Sequence, residues 1–86
     1  MKIVYAPRFA RSYKKLPLGM KRSAEKAEKL FRKNPFDPRL HTHKLHGRLS
    51  AFWSFSITSG HRIIFEFGDE GVVFFHAVGA HGVYEL

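Results

Sequence analysis

The chain has 86 residues, of which 44% are hydrophobic and 15% aromatic. Because a chain of this length is too short to divide its apolar residues between two cores, we expect a single domain over residues 1–86. It contains no cysteine, which excludes disulfides, thiol catalysis and thiolate metal sites. The formal net charge of +8 predicts a polyanionic partner: nucleic acid, an acidic protein or an anionic surface.

The positive charge is concentrated in the first part of the chain. Residues 1–50 hold fourteen of the fifteen Lys and Arg residues and three acids, whereas residues 51–86 hold Arg62 and four acids. The first half is therefore the expected polyanion-binding surface, with a solvated, solubility-promoting surface as the alternative. No stretch has the length and apolarity of a signal peptide or a bilayer-spanning segment, so we expect a cytoplasmic protein without membrane contact.

The chain begins with a predicted strand and a predicted helix. Residues 1–5 are mostly β-branched and aromatic, which is typical of a short strand. Pro7 suits the first turn of a helix, and Pro17 ends that helix. The helix should bury one apolar stripe with helical spacing, formed by Phe9, Tyr13 and Leu16.

A second helix is predicted over about residues 20–33. Its apolar positions share one face and its basic positions share the other, which is the pattern of an amphipathic helix. The two prolines in residues 34–38 end it. Residues 39–48, RLHTHKLHGR, are basic and poor in apolar side chains, so they predict a loop with at most an irregular strand.

Three alternating segments then predict antiparallel strands over residues 52–57, 61–67 and 72–78, with a hairpin loop at residues 68–71 and a terminal tail after the last strand. The predicted fold class is therefore α+β in a single domain: an N-terminal strand, a helical hairpin and a three-stranded antiparallel meander. The hairpin should cover one face of the sheet. Arg62 should lie on the opposite face, which we expect to be free for function, with the tail folded back beside it.

Six histidines are many for a chain of this length, and His41, His43 and His46 lie close together. A metal site has no cysteine and no nearby carboxylate to complete it, so we predict neither a metal ion nor another cofactor. One alternative is a polar loop surface without a role. The other is acid–base chemistry on RNA, because histidines can accept and donate a proton near neutral pH while an arginine binds the phosphate.

Two segments resemble a known family. Residues 45–54, LHGRLSAFWS, and 57–66, ITSGHRIIFE, resemble the LxGxWS…I…EHRLVY core of YoeB-type toxins in the RelE/ParE superfamily. Residues 78–84, VGAHGVY, resemble the GTH tail of YafQ-type toxins. Ala51 stands where the family has a glycine before its aromatic pair, and Gly60 stands where it has an acid. The resemblance implies a RelE-like fold of the microbial-ribonuclease type.

The resemblance also implies roles for individual residues. His43 would be the general base, Arg62 would stabilise the phosphate, and His81 would be the general acid. Tyr84 lies near the family's terminal aromatic residue, which orients or stacks on the substrate. The other residues expected to contact the substrate are Lys44, His46, Arg48 and His61.

The implied function is that of the toxin of a type II toxin–antitoxin system: an endoribonuclease, or mRNA interferase, that inhibits translation. It would cut messenger RNA in the ribosome by attack of the 2′-hydroxyl and be held inactive by a cognate antitoxin. Two alternatives stay open. One is a ParE-like inhibitor of DNA gyrase, and the other is a catalytically inactive nucleic-acid-binding module. The sequence does not predict the oligomeric state.

Overall fold

The computed structural model describes residues 1–84, except for the side chain of His81. The described residues form two helices and five strands, joined or followed by short 3-10 turns. In chain order these are β1 (Lys2–Tyr5), α1 (Pro7–Lys14), α2 (Leu18–Lys33), β2 (His43–Lys44), β3 (Trp53–Thr58), β4 (His61–Phe67) and β5 (Val72–Gly79). Within residues 1–84, no helix combines the length and apolarity needed to cross a bilayer.

The strands form one sheet in the order β1-β5-β4-β3-β2. The predicted meander of β3, β4 and β5 is confirmed, and all its pairings are antiparallel. The sheet is wider than the meander because β1 pairs in parallel with β5, and β2 pairs with β3 at the other edge. The turn between β4 and β5 contains Glu70 at φ 54° and Gly71 at φ 77°, and two consecutive positive φ values suit a tight hairpin.

The helical hairpin covers one face of the sheet, as predicted. Phe31 of α2 is fully buried, and its ring lies 4.7 Å from that of Phe55, 4.9 Å from that of Phe65 and 5.6 Å from that of Phe75. These four rings connect α2 to β3, β4 and β5. Trp53 is partly buried and packs against this cluster.

The expectation that the opposite face is free was wrong for part of that face. A second, smaller apolar cluster covers it, formed by the buried residues Leu45, Ile64, Ala77 and Val83. It forms because the segment between β2 and β3 and the C-terminal 3-10 turn (His81–Tyr84) both fold back over the sheet. This cluster fixes the position of the chain around Arg62.

Candidate active site

Arg62 projects from β4 on the face opposite the helices, next to the second cluster. It is paired across the sheet with Ser56 of β3 and Gly79 of β5. Its side chain is half-buried, and Nε has no hydrogen-bond partner among the residues that the structure describes. A buried donor without a partner costs about 1–3 kcal/mol of stability. A buried arginine N–H that lacks a partner can donate to an anionic ligand, so Arg62 is a candidate ligand-binding residue.

Tyr84 covers the Arg62 guanidinium. Its hydroxyl accepts a hydrogen bond from Arg62 Nη1 at 2.6 Å, and the Arg62 guanidinium carbon lies 5.5 Å from the centre of the tyrosine ring. Val83 anchors the turn that presents Tyr84, because it is buried in the second cluster. The described part of the tail folds back beside Arg62 as predicted, and Tyr84, identified from the tail motif, contacts Arg62, identified from the strand motif.

Arg48 reaches the same residue from the other side. Its Nη2 donates to the backbone carbonyl of Tyr84 at 3.5 Å, and it lies in the 3-10 turn Gly47–Leu49. Tyr84 therefore joins two arginines that are far apart in the sequence. The resulting positive charge, on an exposed arginine and a half-buried one, favours an anion at this end of the sheet.

His43 lies on the same face, at the edge of the sheet. It pairs with Ser54, which in turn pairs with Ile64 of the second cluster, and paired residues share a face. Its backbone is two strand spacings from Arg62, roughly 9.6 Å across the sheet, and offset by two residues, roughly 6.6 Å along it. At this separation His43 and Arg62 do not touch each other. The long Arg62 side chain and a substrate several ångströms in length would together span the distance between them.

The ring of His43 has a defined orientation. Its Nδ1 lies 2.9 Å from the carbonyl oxygen of His41, and a carbonyl oxygen can only accept. Nδ1 therefore carries the proton in the neutral ring, which leaves Nε2 as the nitrogen that can accept one. The carbonyl is presented by an unusual backbone conformation, since His41 has a φ of 51°.

The remaining predicted residues are placed in different surroundings. His81 begins the C-terminal turn, but its side chain lies outside the described residues. His46 is exposed and precedes the turn that contains Arg48. Lys44 pairs with Trp53, which belongs to the helix-covered face, and His61 lines a cleft beside α1. Lys44 and His61 thus lie on the side of the sheet away from Arg62.

A further titratable pair lies on the Arg62 face. His76 Nε2 is 3.1 Å from a carboxylate oxygen of Glu66, and the His76 ring meets that of Phe52 edge-on at 5.0 Å. His76 is half-buried. The alternation in β4 placed Glu66 on this face, but the pairing depends on a register shift between β4 and β5 that the sequence does not reveal.

The histidine-rich segment does not assemble ligands for an ion. In the described part of the chain, no three His, Asp or Glu side chains are close enough to share a metal. The three histidines of this segment are exposed and lie in different backbone conformations. His41 is left-handed, His43 belongs to the short strand β2, and His46 precedes a 3-10 turn. Asp37, the acid nearest to these histidines in the sequence, binds Arg39 instead, and the hydrogen bonds from Arg39 lower the pKa of Asp37 to about 2.

Comparison with known proteins identifies the fold. No protein-family profile matches the chain, and no curated protein sequence matches it significantly. Solved structures do match, and they show that the chain has the fold of the RelE/ParE class of toxins, as the sequence motifs suggested.

Three of these structures cover nearly the whole chain. A YoeB/ParE toxin from Agrobacterium tumefaciens superposes with a TM-score of 0.75 at 21% identity, over 94% of this chain and 99% of the toxin. YafQ from Escherichia coli strain BL21(DE3) gives 0.75 at 18% identity, over 96% of both chains. The YoeB–YefM complex from Staphylococcus aureus gives 0.76 at 19% identity, over 94% of this chain and 97% of the other. The resemblance to YoeB- and YafQ-type toxins is confirmed at the level of the fold.

Proposed function

We propose that this chain is the toxin of a type II toxin–antitoxin system and that it cleaves messenger RNA without a metal ion or other cofactor. The observation that carries the proposal is the Arg62–Tyr84 pair: a half-buried guanidinium, with one donor lacking a described partner, held by an aromatic residue at the open end of the sheet. His43 lies on the same face with Nε2 free to accept a proton, and the turn that presents Tyr84 begins at His81.

The reaction follows from these groups. His43 Nε2 takes the proton of a ribose 2′-hydroxyl, and the 2′-oxygen attacks the adjacent phosphorus. Arg62 binds the non-bridging oxygens as negative charge builds up on the phosphorane. His81 donates a proton to the departing 5′-oxygen, so the products are a 2′,3′-cyclic phosphate and a free 5′-hydroxyl. Tyr84 positions the guanidinium and offers a ring on which a base can stack.

The partners follow from charge and from the relatives. Arg48 and His46 would contact RNA phosphates or bases, and Lys44 and His61 would do so where the strand passes to the other side of the sheet. The RNA would be messenger RNA on the ribosome, in the cytoplasm. A relative of the same fold occurs in a complex with YefM, and a cognate antitoxin is the expected protein partner here. An acidic antitoxin segment that folds on binding would suit the surface of a chain with a net charge of +8.

The test compares wild type with Arg62→Ala, using Arg39→Ala as the matched control. Arg39 is also an arginine, but it is exposed and bound to Asp37 outside the site. Each full-length protein is incubated with ribosomes and messenger RNA, and the RNA ends are mapped. We expect cleavage to fall about 10²–10³-fold in Arg62→Ala, as when a transition-state donor is removed, and to persist in Arg39→Ala.

Induction of the same variants in a bacterial host separates the alternatives. Growth arrest with new 2′,3′-cyclic ends, abolished in Arg62→Ala, His43→Ala and His81→Ala, supports the ribonuclease. Growth arrest that survives these substitutions without new RNA ends would replace the proposal with a gyrase inhibitor, and the absence of growth arrest would indicate an inactive binding module.

A further inference from the structure

A basic cleft lies beside α1, on the helix-covered side of the sheet. We call it the α1 cleft; it has a volume of about 660 Å³ and contains the cationic or titratable side chains of Arg8, Arg11, Lys15 and His61. One water occupies roughly 30 Å³ in the liquid, so a hydrated phosphate group fits. The proposed cleavage reaction does not use Arg8, Arg11 or Lys15.

The cations of the α1 cleft are aligned by the helix. Arg8 and Arg11 lie in α1, and Lys15 is the C-cap residue directly after it. The three are spaced three and four residues apart, and residues with this spacing lie on one face of a helix. The wall is held to the sheet by Ser12, whose hydroxyl donates to the Phe9 carbonyl at 3.0 Å and accepts from the Val78 backbone N–H at 3.1 Å. The positive groups are thus carried by a fixed wall of the cleft.

The α1 cleft is lined by positive groups and not by acids. Among the described residues that line it, there is no Asp or Glu. By contrast, Glu25 and Glu28 line an apolar groove between α1 and α2, where they accept hydrogen bonds from Tyr13 and Tyr5. Both acids of the helical hairpin therefore line a different depression from the α1 cleft, and the α1 cleft suits an anion.

The α1 cleft adjoins the candidate active site. His61 in the cleft precedes Arg62, and Gly79, which also lines the cleft, is paired with Arg62. The α1 cleft and the candidate active site therefore lie on opposite faces of the sheet, both at the start of β4 and the end of β5. At this end of the sheet Gly60 and Ala80 are exposed, so an extended polyanion can pass over them from one site to the other.

We infer that the α1 cleft binds a backbone phosphate of the RNA strand whose scissile phosphate lies at Arg62. This inference rests on the proposed function and adds a second, non-catalytic phosphate site to it. Arginine is suited to the role because its planar guanidinium binds two phosphate oxygens at once. The site would hold the strand in register without reading its sequence.

The experiment measures binding apart from cleavage. The probe is a single RNA strand with a 2′-O-methyl group on every ribose, which has no nucleophile, and its dissociation constant is measured by fluorescence anisotropy over a range of salt concentrations. Wild type is compared with the double variant R11A/K15A and with R22A/K26A, which removes an Arg and a Lys of the same spacing from α2. All four side chains are exposed, and thermal melting verifies that each variant is folded.

We expect R11A/K15A to weaken binding about tenfold and to reduce the slope of log affinity against log salt by roughly 0.7 for each phosphate that the variant no longer binds. R22A/K26A should have a smaller effect. A dinucleotide, too short to reach beyond Arg62, should bind R11A/K15A as it binds wild type. Equal reductions in affinity in the two double variants would overturn the inference, because they would reflect net charge alone.

Two further outcomes are informative. If R11A/K15A binds the RNA strand normally but has reduced affinity for poly-L-glutamate, the α1 cleft is a site for an acidic protein segment and the inference is wrong. If wild type cleaves unmodified messenger RNA while R11A/K15A binds RNA as R22A/K26A does, the inference fails and the proposed function stands. If wild type neither binds nor cleaves RNA, both fail.

Discussion

The proposed reaction depends on Arg62, and the described residues satisfy only part of its guanidinium. Tyr84 holds Nη1, whereas Nε is buried without a partner among the described residues. Hydrogen bonds to charged groups contribute about 1.5–3 kcal/mol, so the tyrosine offsets part of the cost of burying the cation. A phosphate oxygen would supply the remaining compensation.

The hydroxyl of Tyr84 can be tested apart from its ring. Tyr84→Phe keeps the aromatic cover but removes the 2.6 Å hydrogen bond, so the guanidinium gains rotational freedom. We expect kcat for RNA cleavage to fall about tenfold, which corresponds to about 1.4 kcal/mol, and Tyr84→Ala to reduce kcat further because it also removes the ring.

Tyr13→Phe is the control for this substitution, since its hydroxyl makes a 3.3 Å contact with Glu25 outside the site. It should cleave as wild type does. If Tyr84→Phe cleaves as fast as Tyr13→Phe, the hydroxyl does not position Arg62.

For single residues, the sequence predicted which side chains belong to the candidate site better than it predicted the contacts between them. The motifs found Arg62 and Tyr84, which do meet, and the strand alternation placed Arg62 on the correct face. The contact between Arg48 and the Tyr84 carbonyl depends on how two turns fold back, and no spacing encodes that. The position of His61 depends on an irregular register between β3 and β4 near Thr58, which alternation alone cannot reveal.

Among the elements, α1 is attached to β5 by a hydrogen bond between a helix side chain and the strand backbone. The Val78 backbone N–H donates to Ser12 Oγ, where a strand partner would otherwise accept. A buried N–H that loses its acceptor costs about 1–3 kcal/mol. We therefore expect Ser12→Ala to lower the free energy of unfolding by about that amount, measured by urea denaturation.

Ser23→Ala provides the comparison. Ser23 also lies in a helix and donates to a carbonyl of the preceding turn, that of Gly19 at 3.2 Å, in an exposed position. It should change stability by less than about 0.5 kcal/mol. Similar reductions in stability in the two variants would mean that the Val78 hydrogen bond contributes little.

The longer elements and the short strand β1 were predictable from the sequence, and the two-residue β2 was not. The amphipathic pattern and the alternation identified α1, α2, β3, β4 and β5, although α2 begins at Leu18 instead of near residue 20. Pro17 explains the difference, because it is the N-cap residue directly before α2. The two-residue β2 has no pattern of its own. It is set by pairing with β3, and the partner of β1 is likewise a matter of tertiary structure.

On the scale of the whole molecule, the sheet has apolar clusters on both faces, and they have different roles. The larger cluster, under the helices, connects α2 to three strands. The smaller cluster, on the other face, holds the turns that surround Arg62. A chain of 86 residues can place a cleft and a candidate active site on opposite sides of the same strand ends because one sheet supports both.

The larger cluster should therefore determine the stability of the whole fold, and Phe31 is its centre. Phe31→Ala removes a fully buried ring that packs against Phe55, Phe65 and Phe75, and such truncations cost about 3–5 kcal/mol. Since the free energy of unfolding of small domains is about 5–15 kcal/mol in total, we expect a large reduction in it, measured by urea denaturation.

Phe36→Ala is the control, because Phe36 is 54% exposed and its ring packs against those of Trp53 and Phe67 at the surface. Equal reductions from the two substitutions would place the stability of the fold outside the helix–sheet interface.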